Sequence, residues 1–413
     1  MLLLVLLASL WSCNGFTLYG ELPEVHMNVT QMIEYNGYPS ENYDVLTQDG
    51  YIINIQRIPY GRHGKWKDKP SKPIVFLQHG LLCSSTNWVS NLPNESLGFI
   101  LADNGYDVWL GNARGNTYGL KHVNLSIRSA AFWNFTWDEM AQYDLPAMLN
   151  FVLKKTGQPT LYYAGHSQGT MIAFAEFSHN KDLAKKVKTM FALGPVATVG
   201  YIESPIKLLA IFLPEIEDFF KFFGIYDFLP NNEIMKILAD LFCGPKDTRE
   251  FCSDVIFLLD GFDEKQLNKT RLPVYIAHTP AGTSVKNMYH YAQSYRSKKF
   301  QKFDYGTVGN RIKYGQDTPP LYNLSTFTVP TELYSGGEDW LADPKDVSLL
   351  CKAITKTVVY HEYIKAWQHL DFIWGLDAAS LVYDKIVKHI NATEHSNYLM
   401  YRKSHNNCKS PYR

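Results

Sequence analysis

The pentapeptide Gly165-His166-Ser167-Gln168-Gly169 fits the pattern G-x-S-x-G. A nucleophile lifted onto a sharp strand-to-helix turn leaves no room for side chains two residues either side, which accounts for both glycines. A bare match arises often in ordinary glycine-rich turns, so the flanking sequence decides. Thr160 to Gly165 is short and apolar, as a buried strand would be, and Gln168 to Ser178 has the character of a helix. The N-terminus of that helix favours negative charge developing beside Ser167. Ser167 is therefore the expected nucleophile.

A serine hydroxyl is weak at its own pKa, so a base and an orienting acid must accompany it. On a strand–turn–helix nucleophile they follow in the order Ser, Asp or Glu, His. The strand Val329 to Tyr334 runs into Ser335-Gly336-Gly337-Glu338-Asp339-Trp340. Two glycines there are expected to turn the chain and present a carboxylate. Asp339 is the choice, with Glu338 and Asp343 as rivals. Thirteen histidines compete for the base. His361 falls inside a strand, and His389 and His395 fall in the last helix and the tail. His369 sits on the loop after the final strand, where the order requires it. Acyl transfer also needs donors for an oxyanion. The backbone N–H of Gln168 is one, and that of Leu81, in Gln78-His79-Gly80-Leu81-Leu82, is the other. Gly80 is expected to free the backbone to aim it. His79 precedes the nucleophile and reads as structural.

The elements that must hold these loops are legible as a rhythm. Ile74 to Leu77, Tyr106 to Leu110, Thr160 to Gly165, Val187 to Leu193, Val329 to Tyr334 and Val358 to Tyr363 are short apolar strands. Between them lie helical segments, among them Asp138 to Lys155 with Pro146 as a kink, Pro344 to Ile354 and Ala378 to Ile390. Strands apolar on both faces and alternating with helices predict an α/β fold with a mostly parallel central sheet, covered on both sides. Tyr43 to Pro59 alternates around Asp49-Gly50 and predicts a hairpin. Arg62 to Lys72 reads as a surface loop. The rhythm stops between 200 and 324, where Ile206 to Leu229 carries six phenylalanines. That gives a core in two parts, 16–199 and 325–392, around a helical cap and lid at 200–324. A basic, polar, loosely attached tail follows at 393–413.

Composition limits the partners. Forty basic residues balance forty acidic ones in 413, so no field would gather nucleic acid. Met1 to Trp11 is apolar but too short to span a bilayer, and residues 1–15 read as a signal peptide. Seven Asn-x-Ser/Thr sequons, at Asn28, Asn94, Asn124, Asn134, Asn268, Asn323 and Asn391, agree with the secretory pathway. Of six cysteines, Cys243 and Cys252 close a short loop and are the one expected disulfide. The spacing holds no metal-site pattern, so no metal is expected. A monomer is expected.

Several stretches resemble the mammalian acid lipase family, the group of gastric lipase and lysosomal acid lipase. They are QHGLL (78–82), NWVSNLP (87–93), LGFILAD (97–103), DVWLGNARG (107–115), GHSQG (165–169), HTPAGTSV (278–285) and HLDFIW (369–374). The resemblance covers about residues 25 to 392. It implies an α/β-hydrolase fold with an inserted helical cap and lid, hydrolysis of neutral lipid esters, and no cofactor. Ser167, Asp339 and His369 fall on the family's triad positions, Leu81 and Gln168 on its oxyanion donors, and Cys243 and Cys252 on its lid disulfide. Cys83, Cys351 and Cys408 look like additions, and Asp260 stands where digestive members carry a cysteine. The alternatives are a catalytically silent lipid- or protein-binding relative and an esterase for soluble esters. Secreted and lysosomal destinations both remain open.

Overall fold

The computed structural model describes residues 22–204, 207, 225–229, 265–395 and 408. The expected signal peptide, the expected Cys243–Cys252 pair and most of the apolar stretch 206–229 lie outside these residues.

The hairpin forms as β1 (Glu41–Leu46) and β2 (Tyr51–Ile58), antiparallel, with Leu46 opposite Ile52. β3 (Ile74–Gln78), β4 (Asp107–Leu110), β5 (Lys121–His122), β6 (Leu161–His166) and β7 (Val187–Leu193) follow. In the middle of the chain, β8 (Asp227–Phe228) and β9 (Thr283–Ser284) pair with each other, apart from the main sheet among the described residues. β10 (Thr331–Gly336) and β11 (Val358–Ile364) return to the main sheet. Its order is β1-β2-β4-β3-β6-β7-β10-β11, with β5 on β2. Every neighbour from β4 to β11 is parallel.

Alternation of side chains fills both faces. Leu161 and Tyr163 of β6 point into one apolar cluster, and Tyr162 and Ala164 into the other. The longer helices are α1 (Val29–Tyr35), α2 (Leu97–Asp103), α3 (Leu145–Thr156), α4 (Gln168–His179), α5 (Leu272–His278), α6 (Val285–Ser297), α7 (Gly306–Tyr314), α8 (Pro344–Ala353) and α9 (Asp384–Glu394). The first face receives α3, α4 and α8 through Met148, Phe174 and Leu350. The second receives α1, α2, α5 and α9 through Met32, Leu101, Val274 and Ile386. The helical run expected from Asp138 is interrupted by a π turn, Met140–Asp144, ahead of α3. Pro146 has no N–H to continue the ordinary ladder, and the wider turn absorbs the loss.

Two readings of the cysteines and the tail are corrected. Cys351 on α8 and Cys408 form a disulfide across 57 residues. The tail is therefore tied to the core at Cys408, which packs against the first cluster. Spacing alone gives no sign of such a pair, because only the fold brings its ends together.

Candidate active site

In a parallel sheet, loops leaving the C-terminal ends of the strands gather along one edge. Ser167 follows β6, Asp339 follows β10, His369 follows β11 and Leu81 follows β3. The topology thus brings together residues as far apart in sequence as 81 and 369.

Ser167 has φ 51° and ψ −118°, a backbone region that costs a non-glycine residue energy and persists only when its surroundings hold it. They do. The Ser167 amide donates to Leu193 O at 3.1 Å, and its carbonyl accepts from Thr170 N at 2.8 Å and Thr170 Oγ1 at 2.7 Å. A Cβ on Gly165 would lie 2.8 Å from Gly169 C, and one on Gly169 would lie 2.4 Å from Gln78 O. Both glycines of the motif are there for close approach of backbone.

His369 is buried, and its Nδ1 lies 2.9 Å from Asp339 Oδ2. The other carboxylate oxygen, Oδ1, accepts from Leu341 N at 2.9 Å and Ala342 N at 2.7 Å. The acid is thus clamped by its own loop with one oxygen aimed at the imidazole. That contact makes Nδ1 the protonated nitrogen and leaves Nε2 as the basic one. The rivals stand elsewhere: Glu338 is exposed, and Asp343 caps α8 through Lys345 N at 2.8 Å. His361 is packed, with Nε2 at 2.8 Å from Ser335 Oγ, and His389 pairs with Glu332 at 2.6 Å. His395 is exposed at the end of α9.

The acid loop meets the base loop at Gly336 and Gly337, for a reason other than the one read from sequence. Neither residue has a positive φ. A Cβ on Gly336 would fall 2.2 Å from Trp367 O, and one on Gly337 would fall 2.3 Å from Lys365 O. Space, rather than turning freedom, is what they supply. The same correction applies at Gly80, whose Cβ would lie 3.0 Å from Ser167 Cβ. The left-handed residue of that loop is Leu82, φ 59°, whose carbonyl accepts from Ala281 N. Leu81 packs on Met288 and Ala292 of α6 together with Phe228 and Tyr289.

His79 uses both ring nitrogens structurally. Nδ1 lies 2.8 Å from Gly80 O and Nε2 lies 3.1 Å from Asn116 Nδ2, and burial pushes its pKa down to about 4. Its role is to hold the loop that carries Leu81. The contact of His166 with His369 was not read from the sequence. Its Nε2 donates to His369 O at 3.0 Å and its ring lies 4.7 Å from the His369 ring. Burial first, and then the His369 charge, hold His166 well below its usual pKa, so it stays neutral. Only its place inside the motif could have singled it out. Gly194, φ 53°, passes within contact of the His369 ring, where an added Cβ would be 3.0 Å away.

A cleft of about 700 Å³ is lined by Trp133, Ile225, Tyr226, Tyr289, Phe303 and Tyr305 among others. Ser167 does not line it. Tyr289 joins it to the Leu81 cluster. Among the described residues no group of three or more His, Cys, Asp or Glu could hold a metal ion. None of the described helices is long and apolar enough to cross a membrane.

Two family models match: a partial alpha/beta-hydrolase lipase region over residues 29–92, and the alpha/beta hydrolase fold over residues 73–376. The chain is 51% identical over 399 residues to gastric triacylglycerol lipase of Homo sapiens, covering 95% of this chain and 99% of that one. It is 51% identical over 391 residues to lysosomal acid lipase/cholesteryl ester hydrolase of Homo sapiens, covering 93% and 96%. A solved structure described as a candidate lipase of Sulfolobus solfataricus shares the fold, at 17% identity and a TM-score of 0.52, over 86% of this chain and 99% of that chain. With half its residues identical across nearly its whole length, the chain belongs to the acid lipase family of α/β-hydrolases, the group of gastric lipase and lysosomal acid lipase.

Proposed function

We propose that the protein is a lipase, hydrolysing carboxylic ester bonds of triacylglycerols or related neutral lipid esters through an acyl-enzyme. The observation that carries this reading is the clamped Asp339–His369 pair, 2.9 Å apart, on the same sheet edge as the strained turn at Ser167. Ser167 Oγ attacks the ester carbonyl while His369 Nε2 takes its proton. The backbone N–H groups of Leu81 and Gln168 receive the charge on the carbonyl oxygen. Gln168 opens α4, where the first amides of a helix have no partner inside it. His369 then gives the proton to the departing alcohol. A water molecule, deprotonated by the same nitrogen, releases the fatty acid. Asp339 keeps the imidazole in its tautomer and stabilises the imidazolium. No cofactor enters any step.

On this reading a core at 16–199 and 325–392 carries the chemistry, and the cap and lid at 200–324, apart from α5, which packs into the second apolar cluster of the core, meet the lipid. The substrate would be taken from a lipid–water interface by a monomer. Passage through the secretory pathway is supported by the sequons. Asn28, Asn94, Asn124, Asn134, Asn323 and Asn391 are exposed and Asn268 is half-buried, so oligosaccharides have room. The curated relatives include gastric and lysosomal proteins, and both destinations lie on that route.

The test is covalent labelling with a fluorophosphonate, followed by hydrolysis of emulsified triolein, tributyrin and cholesteryl oleate in acidic and neutral buffer. Labelling that depends on Ser167, with turnover of at least one emulsion, is the expected result. Unlabelled protein that still binds lipid would make it a silent relative, and turnover of soluble esters alone would make it an esterase.

A further inference from the structure

Gln168 supplies more than a backbone amide. Its side chain is 4% exposed, and its Oε1 lies 3.0 Å from Asn287 Nδ2 and 3.1 Å from Tyr291 Oη. Asn287 and Tyr291 stand one turn apart on α6 and so share a face. One backbone group fixes the orientation of both amides. Trp137 N–H can only donate, and it donates to Asn287 Oδ1 at 2.7 Å. Asn287 Nδ2 is therefore turned toward Gln168 and toward Thr283 Oγ1, 3.1 Å away. Gln168 must meet it with its carbonyl oxygen, and the Tyr291 hydroxyl becomes the second donor. Burial pushes the Tyr291 phenol well above its usual range, so that proton stays in place. Asn287 is fully buried, and its own N–H is held by Ser284 Oγ at 2.9 Å. Gln168 Nε2 faces Met140 Sδ at 3.4 Å. Two side chains of the inserted segment thus grip the residue that follows the nucleophile.

We propose that Asn287 and Tyr291 are positioning residues for the oxyanion donor: α6 holds the Gln168 side chain and so fixes the first turn of α4. The proposal rests on the reading of Gln168 N–H as that donor. Two features make such a hold useful. Ser167 carries a strained backbone that would relax if its surroundings loosened. The leading amides of α4 also lie at the end of the helix, where fraying begins. A donor that must be in place before charge develops gains from a restraint on its own residue, because no reorganisation is then needed at the moment of reaction. The grip also gives α6 a route to the chemistry, since any shift of that helix moves Gln168 with it.

The experiment uses the full-length protein and soluble p-nitrophenyl butyrate, with Tyr291→Phe, Gln168→Met and the double variant. Gln168→Met keeps the backbone amide and removes the Oε1 acceptor together with the weak contact of Nε2 to Met140 Sδ. Each single variant should lower kcat about tenfold, less than the ~10²–10³-fold cost of losing a whole donor. KM and the thermal midpoint should stay near wild type. The rate of inactivation by a fluorophosphonate should fall by the same factor. The double variant should be no slower than Gln168→Met alone, because the Tyr291 hydrogen bond is already lost in Gln168→Met. Unchanged kcat in Tyr291→Phe, or losses that multiply in the double variant, would overturn the proposal. If Gln168→Met does not fold, kcat and inactivation in Tyr291→Phe decide the matter alone. Ser167→Ala on the same ester separates the two levels. Activity there would sink the proposed function itself, whereas inactive Ser167→Ala beside unaffected Tyr291→Phe sinks only the positioning role.

Discussion

Ser167 is small, and its turn is held by backbone bonds to Leu193 and Thr170 that do not involve its hydroxyl. Ser167→Ala should therefore abolish ester hydrolysis while leaving the thermal midpoint near wild type. Activity above a few per cent of wild type would place the nucleophile elsewhere. Asp339 makes three polar contacts, and only the one to His369 enters the proposed chemistry. Asp339→Asn preserves shape but favours the wrong imidazole tautomer, so kcat should fall on the order of 10⁴-fold. Glu338→Gln, at an exposed position, should cost little. Asp343→Asn should cost little as well, because Asn caps a helix as well as Asp does. Comparable losses at either rival would reassign the acid. The sequence singled out Ser167, Asp339 and His369 as candidates because a triad on this fold follows its strands in a fixed order. It hid the work of His166 and of the Gln168 side chain, since their partners lie about 200 and 120 residues away.

At the scale of elements, the site depends on how closely two loops can pass. β10 and β11 are parallel neighbours, with Gly336 level with Ile364. The loops that leave them must run side by side to bring Asp339 to His369. Gly337→Ala would put a Cβ 2.3 Å from Lys365 O, a backbone atom that cannot rotate away. The loops would have to separate, and a displacement approaching 1 Å costs about 10²-fold in rate. The expected outcome is a kcat lowered by roughly that factor, with the fluorophosphonate reaction slowed in proportion. A wild-type rate would mean that the loops yield without consequence. Element types and approximate bounds were legible because the buried strands are short and apolar. The π turn before α3 was legible only as a suspicion attached to Pro146, since propensity does not say how a missing N–H will be accommodated.

For the whole molecule, the pH dependence of stability should be set by two opposed sets of buried groups. Burial holds Asp138, Asp144 and Asp346 up to about 6 and Glu176 up to about 7. The folded state binds those protons more readily than the unfolded chain. Their contribution to stability is full below the unfolded value near ~4 and is lost as pH rises through about 6 to 7. His79, held near 4, His290, held down to about 3, and His166, held well below its usual value, act in the opposite sense. The unfolded chain takes their protons first, so stability drains as pH falls below about 6.5. From about pH 7 to about pH 5 the two sets oppose each other, and the thermal midpoint should change little. Below about pH 4 the carboxyls have no more to add while the histidine loss continues, so the midpoint should drop steeply. Calorimetry across that range checks this; a steady decline beginning at about pH 6.5 would contradict it. The second prediction at this scale concerns the apolar stretch 206–229. A stretch this apolar is expected to be covered in water, as a monomer rarely leaves a large apolar patch exposed, and to leave the protein for a lipid surface when one is offered. At ~25 cal/mol per Å², a few hundred Å² supplies several kcal/mol, enough to open a lid. The rate on tributyrin should jump as droplets form, and a smooth hyperbola through the solubility limit would leave a static cap.

The sequence by itself determined the α/β rhythm, the strand-following positions of Ser167, Asp339 and His369, and the family. Those properties are local, or are carried by long stretches of identical residues, and need no knowledge of which segments meet. Tertiary structure decided the rest, because each remaining feature depends on what lies opposite in space. The glycines at 80, 336 and 337 serve close approach rather than turning, which no residue type announces. Asp339, rather than Glu338 or Asp343, faces His369, because its loop aims one oxygen at the imidazole and ties down the other. Cys351 finds Cys408, and Gln168 finds α6, only once the sheet has folded their distant segments together.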